Sequence, residues 1–154
     1  MALEIRAVPA EAAVALRHAV LRPHAPLDAA RLAGDGAPGG AVFAALEDGE
    51  VVSTAAVHRE DAAGLRARGG PHWRLRAVAT REDRRGLGLG SGVLAAVCEH
   101  VASHGGGLLW CTARLGARGF YLRHGFDAEG EEWVDPQTGP HVHMSRLIAP
   151  SPGR

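Results

Sequence analysis

Between an apolar stretch ending at Ala79 and a helical pattern beyond it, the chain runs Arg85-Gly86-Leu87-Gly88-Leu89-Gly90-Ser91-Gly92, with glycine at every second position. A strand, a tight turn and a helix must succeed one another here, with bare backbone where the helix starts. The first four N–H groups of a helix have no partner within it, and the aligned peptide dipoles leave partial positive charge there. Such a point binds anions, phosphates above all, and glycine lets the anion approach the backbone closely. The spacing then separates the possible sites. A dinucleotide fingerprint starting at Gly86 needs glycine where Ser91 stands, and one starting at Gly88 needs it at Val93. No Gly-Lys-Ser/Thr is present either, so a nucleoside-triphosphate loop is excluded. What remains is Arg85-x-x-Gly88-x-Gly90, suited to a pyrophosphate whose flexible arm leaves along the preceding strand. The glycines alone favour a plainer reading, a turn shaped for a tight strand-to-helix connection.

Composition narrows the function classes. The 154 residues suit one domain, expected over 1–148, with 149–154 as a flexible tail. Seventeen basic residues balance seventeen acidic ones, which argues against nucleic acid as a partner. All seventeen are arginine, so a Schiff-base lysine is excluded. Cys98 and Cys111 each lie in an apolar stretch and read as buried thiols, not a disulfide framework. Glu4, Arg6, Glu11 and Arg17 interrupt the first twenty-one residues, which therefore lack a signal-type apolar core, and no later run has membrane-spanning length. A soluble, cytoplasmic protein without a membrane partner is expected.

Periodicity orders the elements. Leu3, Ile5 and Ala7 alternate with Glu4 and Arg6, predicting a short strand with one buried face. Pro9 opens a helix carrying Ala13, Leu16 and Val20, which Pro23 and Pro26 stop. Leu27 to Gly40 reads as a short helix or turn followed by a glycine-rich loop with the composition of a mobile segment. Ala41 to Glu47 and Glu50 to His58 flank Asp48-Gly49, a hairpin signal. A polar stretch with Gly64, Gly69, Gly70 and Pro71 leads into a strand from Trp73 to Ala79. Val93, Val97 and Val101 then mark one helix face, Gly105-Gly106-Gly107 ends it, and Leu108 to Thr112 predicts a buried strand parallel to the previous one. A short helix with Ala117, Phe120 and Tyr121 on one face ends at Gly125. A hairpin, Phe126 to Val134 and His141 to Ile148, closes the pattern.

The order of these elements and motifs resembles the GCN5-related N-acetyltransferase (GNAT) superfamily over most of the chain. Val78 to Gly90 resembles its coenzyme-A loop, with Arg85, Gly88 and Gly90 on the Arg/Gln-x-x-Gly-x-Gly/Ala pattern. Four stretches resemble a small bacterial subgroup: Trp73 to Thr80, Leu109 to Arg114, Phe120 to Phe126, and Gly139-Pro140-His141. The subgroup usually carries asparagine where Thr112 stands. The resemblance implies an α/β (α+β) fold: a mixed, mostly antiparallel sheet splayed at its centre, flanked by helices on both faces. It implies acetyl-CoA as co-substrate, with no metal. Backbone groups of Val78, Ala79 and Thr80 would hold the pantetheine arm. The N–H groups of Arg85, Gly86, Leu87, Gly88, Leu89, Gly90 and Ser91 would hold the pyrophosphate, and Thr112 and Ala117 would border the cofactor. Tyr121 would place its phenol beside the thioester sulfur. Full proton transfer from a phenol of pKa ~10 to a thiolate of pKa ~8.5 is uphill by about 2 kcal/mol, so its role is a hydrogen bond that strengthens as charge grows.

The acceptor would be an amine of a small molecule or peptide. Such an amine, with a pKa of ~10.4, is neutral about once in 10³ at pH 7, so a proton route is required. Glu131, Glu132, His141 and His143 are its candidates, none singled out. His141 and His143 share a strand face, yet two ligands make a weak metal signal. Arg74 and Arg76 also share a face, and pairing with nearby carboxylates is the commoner fate of such arginines. The reading is therefore an N-acetyltransferase acting by direct attack in a ternary complex, as monomer or homodimer. Its alternatives are a non-catalytic acyl-CoA-binding regulatory module and, more weakly, metal chemistry at the two histidines.

Overall fold

Asp48 and Gly49 adopt φ of 50° and 84°, the left-handed pair a two-residue hairpin turn needs. They join strands β2 (Ala41–Glu47) and β3 (Glu50–Arg59), antiparallel from Ala41↔Val57 to Glu47↔Glu50. The computed structural model describes residues 2–62 and 70–152. Gly64 and Gly69 of the expected polar connection, and residues 153 and 154 of the expected tail, lie outside the described residues. With β1 (Leu3–Val8), β4 (His72–Thr80), β5 (Gly107–Arg114), β6 (Asp127–Asp135) and β7 (Gly139–Ile148), these strands form a mixed seven-stranded sheet. Its order is β1-β2-β3-β4-β5-β7-β6. The helices are α1 (Val14–Leu21), α2 (Leu89–Ser103) and α3 (Arg118–Arg123). The chain divides into two compact units, Met1–Arg59 with Leu75–His100, and Glu60–Arg74 with Val101–Arg154.

In the first unit β3 is buried without interruption from Val52 to His58, so its polar side chains need internal partners. Thr54 Oγ1 donates to Phe43 O at 2.8 Å, and Ser53 Oγ lies 2.8 Å from Thr80 Oγ1. β1 departs from expectation. It pairs with β2 from Leu3↔Glu47 to Val8↔Val42, but Leu3 and Ile5 stay 53% and 41% exposed. The physical reason is its place at the sheet edge, where alternation sets the strand but little packs on it. Gly92 provides what cover there is, because a Cβ there would overlap Ile5 Cδ1.

Segment 27–40 carries side-chain partners that its composition does not announce. Arg17 on α1 is 2% exposed. Its fork grips Asp35 at 2.7 and 3.0 Å, and Nη1 also donates to Ala30 O at 3.1 Å. Leu32 N–H donates to Asp35 Oδ2 at 2.9 Å. Along α2, Val93, Leu94 and Val97 are buried as the period requires, whereas Cys98, expected buried, is partly exposed.

In the second unit three successive glycines at positive φ lead from the end of α2 into β5: Gly105 (98°), Gly106 (72°) and Gly107 (133°). A Cβ on Gly107 would overlap Pro71 O, the acceptor for Leu108 N–H at 2.9 Å, so close backbone approach demands glycine there. β4 and β5 pair in parallel through His72↔Leu108, Trp73↔Leu109 and Arg74↔Trp110. β7 pairs with β5 along its length and with β6, where the register shifts between Glu129 and Trp133. Trp73, Leu108, Leu109, Phe126 and Met144 are each at most 1% exposed. Ser151 N–H donates to Ala102 O at 2.9 Å, tying residue 151 to the last turn of α2.

Candidate active site

The informative stretch runs from the second half of β4 through the charged turn to the start of α2. Ala77 has φ 54°, a left-handed conformation inside a strand. An L-residue with a Cβ enters that region at a cost of about 1 kcal/mol, and such strain concentrates at functional positions. Nothing in the alternation of Trp73 to Ala79 betrays it, so it was invisible in the sequence. Beyond it Thr80 hydrogen-bonds Ser53, and Arg81 N–H donates to Val52 O at 2.8 Å. The charged run 81–85 is mostly scaffolding. Arg84 forks onto Glu47 at 2.7 and 2.8 Å, and this hydrogen bond, against partial desolvation, holds the Glu47 carboxyl below its ordinary range. Arg81 pairs with Asp83 at 2.7 Å. Arg85 is different. It is exposed, pairs with no carboxylate among the described residues, and reaches only Thr80 O, at 3.4 Å.

Gly86 and Gly88 have φ of 79° and 80°, and a Cβ on either would meet nothing within 4 Å. Their glycines are thus required by backbone conformation, and the space beside them is open. Leu89 anchors the helix start at 6% exposure, while Leu87 projects outward at 65%. The first α-helical bond at this end is Gly92 N–H to Gly88 O, 3.0 Å, so the N–H groups of Leu89, Gly90 and Ser91 come before it. Val78, Ala79, Thr80 and Arg85 to Ser91 therefore lie along one continuous strand end, turn and helix start. Open left-handed glycines, the N–H groups of a helix start and an arginine without an acidic partner fit a pyrophosphate.

The remaining expected residues lie in the second unit. Tyr121 on α3 is 7% exposed, in ring contact with Phe120 at 5.2 Å and Phe126 at 5.4 Å. Burial, and secondarily Cys111, pushes its pKa up, so it stays a phenol and a donor. Burial pushes the Cys111 thiol up to about 12, leaving it a poor nucleophile near neutral pH. Ala117 is half-buried at the turn before α3.

Thr112 lies on β5 beside His143. Register and the two-residue period put Trp110 and Thr112 of β5, His141, His143 and Ser145 of β7, and Glu129 of β6 on one sheet face. Thr112 Oγ1 is 3.4 Å from His143 Nδ1. The Trp133 ring lies 4.5 Å from His143, and the Trp110 ring meets it edge-on at 6.0 Å. Burial, then the Arg74 charge, holds the His143 pKa below 6.5. Arg74 is committed as expected, to Glu60 at 3.0 Å and over Trp110 at 4.9 Å.

His141 Nδ1–H donates to Gly139 O at 2.7 Å, and its Nε2 lies 3.4 Å from Thr138 Oγ1. Glu131 is exposed, and Glu132 pairs with Arg118 at 3.1 Å. Buried Glu129 accepts from Ser145 Oγ at 3.2 Å. Glu129, Trp110 and Trp133 were missed by the sequence reading, because the irregularity between Glu129 and Trp133 hides which β6 residues share a face. Among the described residues no three His, Cys, Asp or Glu side chains group as a metal site, and no helix is long and apolar enough to cross a membrane.

Comparison with known proteins supplies the family. Residues 10–126 match the acetyltransferase (GNAT) family. The chain is 28% identical over 149 residues to the uncharacterized N-acetyltransferase YitI of Bacillus subtilis, covering 97% of this chain and 99% of that relative. It shares its fold with ElaA of Escherichia coli, at TM-score 0.74 and 18% identity, covering 94% and 99% of the two chains. It also shares it with an aminoglycoside 6'-N-acetyltransferase complexed with coenzyme A, at TM-score 0.75 and 14% identity, covering 97% and 99%. With a match across well over half its length, the chain belongs to the acetyltransferase (GNAT) family.

Proposed function

We propose that the protein is an acetyl-CoA-dependent N-acetyltransferase, working as one domain over 1–148, whose acceptor is an amine of a small molecule or peptide. The observation that carries this reading is the turn before α2, where Gly86 and Gly88 hold left-handed conformations beside open space and Arg85 lacks an acidic partner among the described residues. The N–H groups from Arg85 to Ser91 bind the pyrophosphate, and backbone groups of Val78, Ala79 and Thr80 pair with the pantetheine arm as an added strand would. The left-handed turn at Ala77 re-aims the next peptide, leaving the Val78 N–H to face developing charge on the thioester oxygen. The thioester supplies an activated acyl carbon.

The acceptor nitrogen attacks that carbon directly, and the Tyr121 phenol, kept protonated by burial, donates a hydrogen bond to the sulfur as it leaves. Cys111 takes no acyl group, since its thiol stays protonated. The enzyme acts in the cytoplasm as a monomer or homodimer. The test measures thiol release from acetyl-CoA across a panel of primary amines, with intact-mass measurement of protein held with acetyl-CoA alone. Turnover with unchanged protein mass is expected. Tight acetyl-CoA binding without release on any amine would replace this reading with a non-catalytic binding module, and a stoichiometric acetyl adduct would overturn direct attack.

A further inference from the structure

The acceptor of an acetyl transfer enters water as an ammonium ion and must lose a proton before its nitrogen can attack. Strands β6 and β7 carry the four groups expected from the sequence to take it, together with buried Glu129, which accepts from Ser145 Oγ at 3.2 Å, and their surroundings separate them. His141 engages both ring nitrogens. Glu132 is bound to Arg118, and Glu131 is exposed. His143 alone combines a fixed ring with a vacant nitrogen: Trp133 and Trp110 hold the imidazole from two sides, Thr112 Oγ1 meets Nδ1, and Nε2 has no partner among the described residues. We propose that His143 is the general base toward the acceptor amine and that Thr112 positions it. This rests on the acyltransferase reading above.

The base role itself fixes what each of the two nitrogens must do. For Nε2 to accept a proton it must carry a lone pair, so in this role Nδ1 bears the hydrogen and the Thr112 hydroxyl, able to donate or accept, receives it at Oγ1. One proton of the ammonium passes to Nε2 and on to solvent. The nitrogen lone pair so released forms the N–C bond, the C–S bond breaks, and the second nitrogen proton ends on the sulfur. The charged groups facing the imidazole are Arg74 with its partner Glu60 from the β4 side, Glu129 from β6, and His141 along β7. Burial first, and then the Arg74 charge, keep His143 neutral near pH 7.

Two measurements test this. Long-range nitrogen–proton correlation spectra of the protein alone at pH 8 should show the Nδ1–H tautomer at His143. Thr112→Val should disturb it and Thr112→Ser should keep it. The Nε2–H tautomer in the unsubstituted protein would overturn the assignment whatever the activity. The second is the pH profile of kcat/KM with a primary amine. The unsubstituted enzyme should be flat from about pH 7 toward the amine pKa. His143→Gln should lose about 10²-fold or more at pH 7 and then climb about tenfold per pH unit, tracking the free amine, with acetyl-CoA affinity unchanged. A His143→Gln profile parallel to the unsubstituted one overturns the base role alone. An unsubstituted protein that binds acetyl-CoA but acetylates no amine overturns the transferase reading, and the base role with it.

Discussion

Gly88→Glu isolates the anion cradle from the fold that carries it. Gly88 sits at φ 80° with nothing within 4 Å of its would-be Cβ, so glutamate meets backbone strain and no clash. That strain costs about 1 kcal/mol, and a domain of this size usually has about 5–15 kcal/mol of stability, so the protein should fold. The matched control is Gly39→Glu, at φ 81° with equally open surroundings, in the loop before β2. Both variants share the strain and the added charge, so their difference reads only the environment of residue 88.

That difference should be large for acetyl-CoA. A carboxylate about 5 Å from a diphosphate bearing about two charges repels it by about 1.7 kcal/mol at the dielectric of water, and by about four times that at an effective dielectric of about 20. The lower figure alone weakens binding more than about tenfold, and the side chain's bulk adds to it. Circular dichroism should show both variants folded. Calorimetric titration should show the Gly39→Glu affinity unchanged and the Gly88→Glu affinity down by more than about tenfold, with part of the loss recovered as salt screens the charges. A folded Gly88→Glu protein that binds acetyl-CoA within about twofold of the control would refute the phosphate-loop reasoning.

Other residues give sharper tests of the fold. Ala77→Val, placing a β-branched side chain at φ 54°, should destabilise by about 1–2 kcal/mol, while Ala77→Gly should be neutral to slightly stabilising; a Val variant melting at the unsubstituted temperature would deny the strain. Asp35→Asn strands the buried Arg17 charge and should cost about 3 kcal/mol in urea unfolding. Burial raises the Asp35 pKa, but hydrogen bonds from Arg17 and Leu32 N–H, with the Arg17 and Arg76 charges, leave it lowered. Its stabilisation is then complete above the ordinary value of about 3.9 and is lost as pH falls through the lower folded value; Asp35→Asn should remove that part of the acid-unfolding curve. Gly107→Ala collides with Pro71 O and should destabilise by more than about 2 kcal/mol, whereas Gly105→Ala, at positive φ in open space, should cost only about 1 kcal/mol.

What was legible in the sequence was legible because its cause is local. Asp48-Gly49 names its own turn, the Val93-Val97-Val101 period names its helix face, and the glycines at 86 and 88 coincide with left-handed backbone. Where the cause is not local, the pattern misleads. The alternation of Leu3 and Ile5 is a true strand signal, but whether its apolar face is covered depends on β1 being an edge, which only the strand order decides. The loop 27–40 has the composition of an unfastened segment, and what fastens it is Arg17, distant in the chain and buried only because Asp35 meets it with both oxygens.

The same distinction explains why the two halves of the proposed chemistry were unequally visible. Anion binding needs a run of consecutive backbone groups, so its signature is written in adjacent residues, Arg85 to Ser91. The proposed base needs side chains from several strands on one face, and His143 with its neighbours Thr112, Glu129 and Trp133 gains that setting only through the registers of β5 with β7 and of β7 with β6. Thr112 stands where the subgroup that the sequence resembles usually carries asparagine. On this face its hydroxyl lies 3.4 Å from His143 Nδ1, and in the proposed chemistry this departure from the family pattern is the side chain that positions the imidazole.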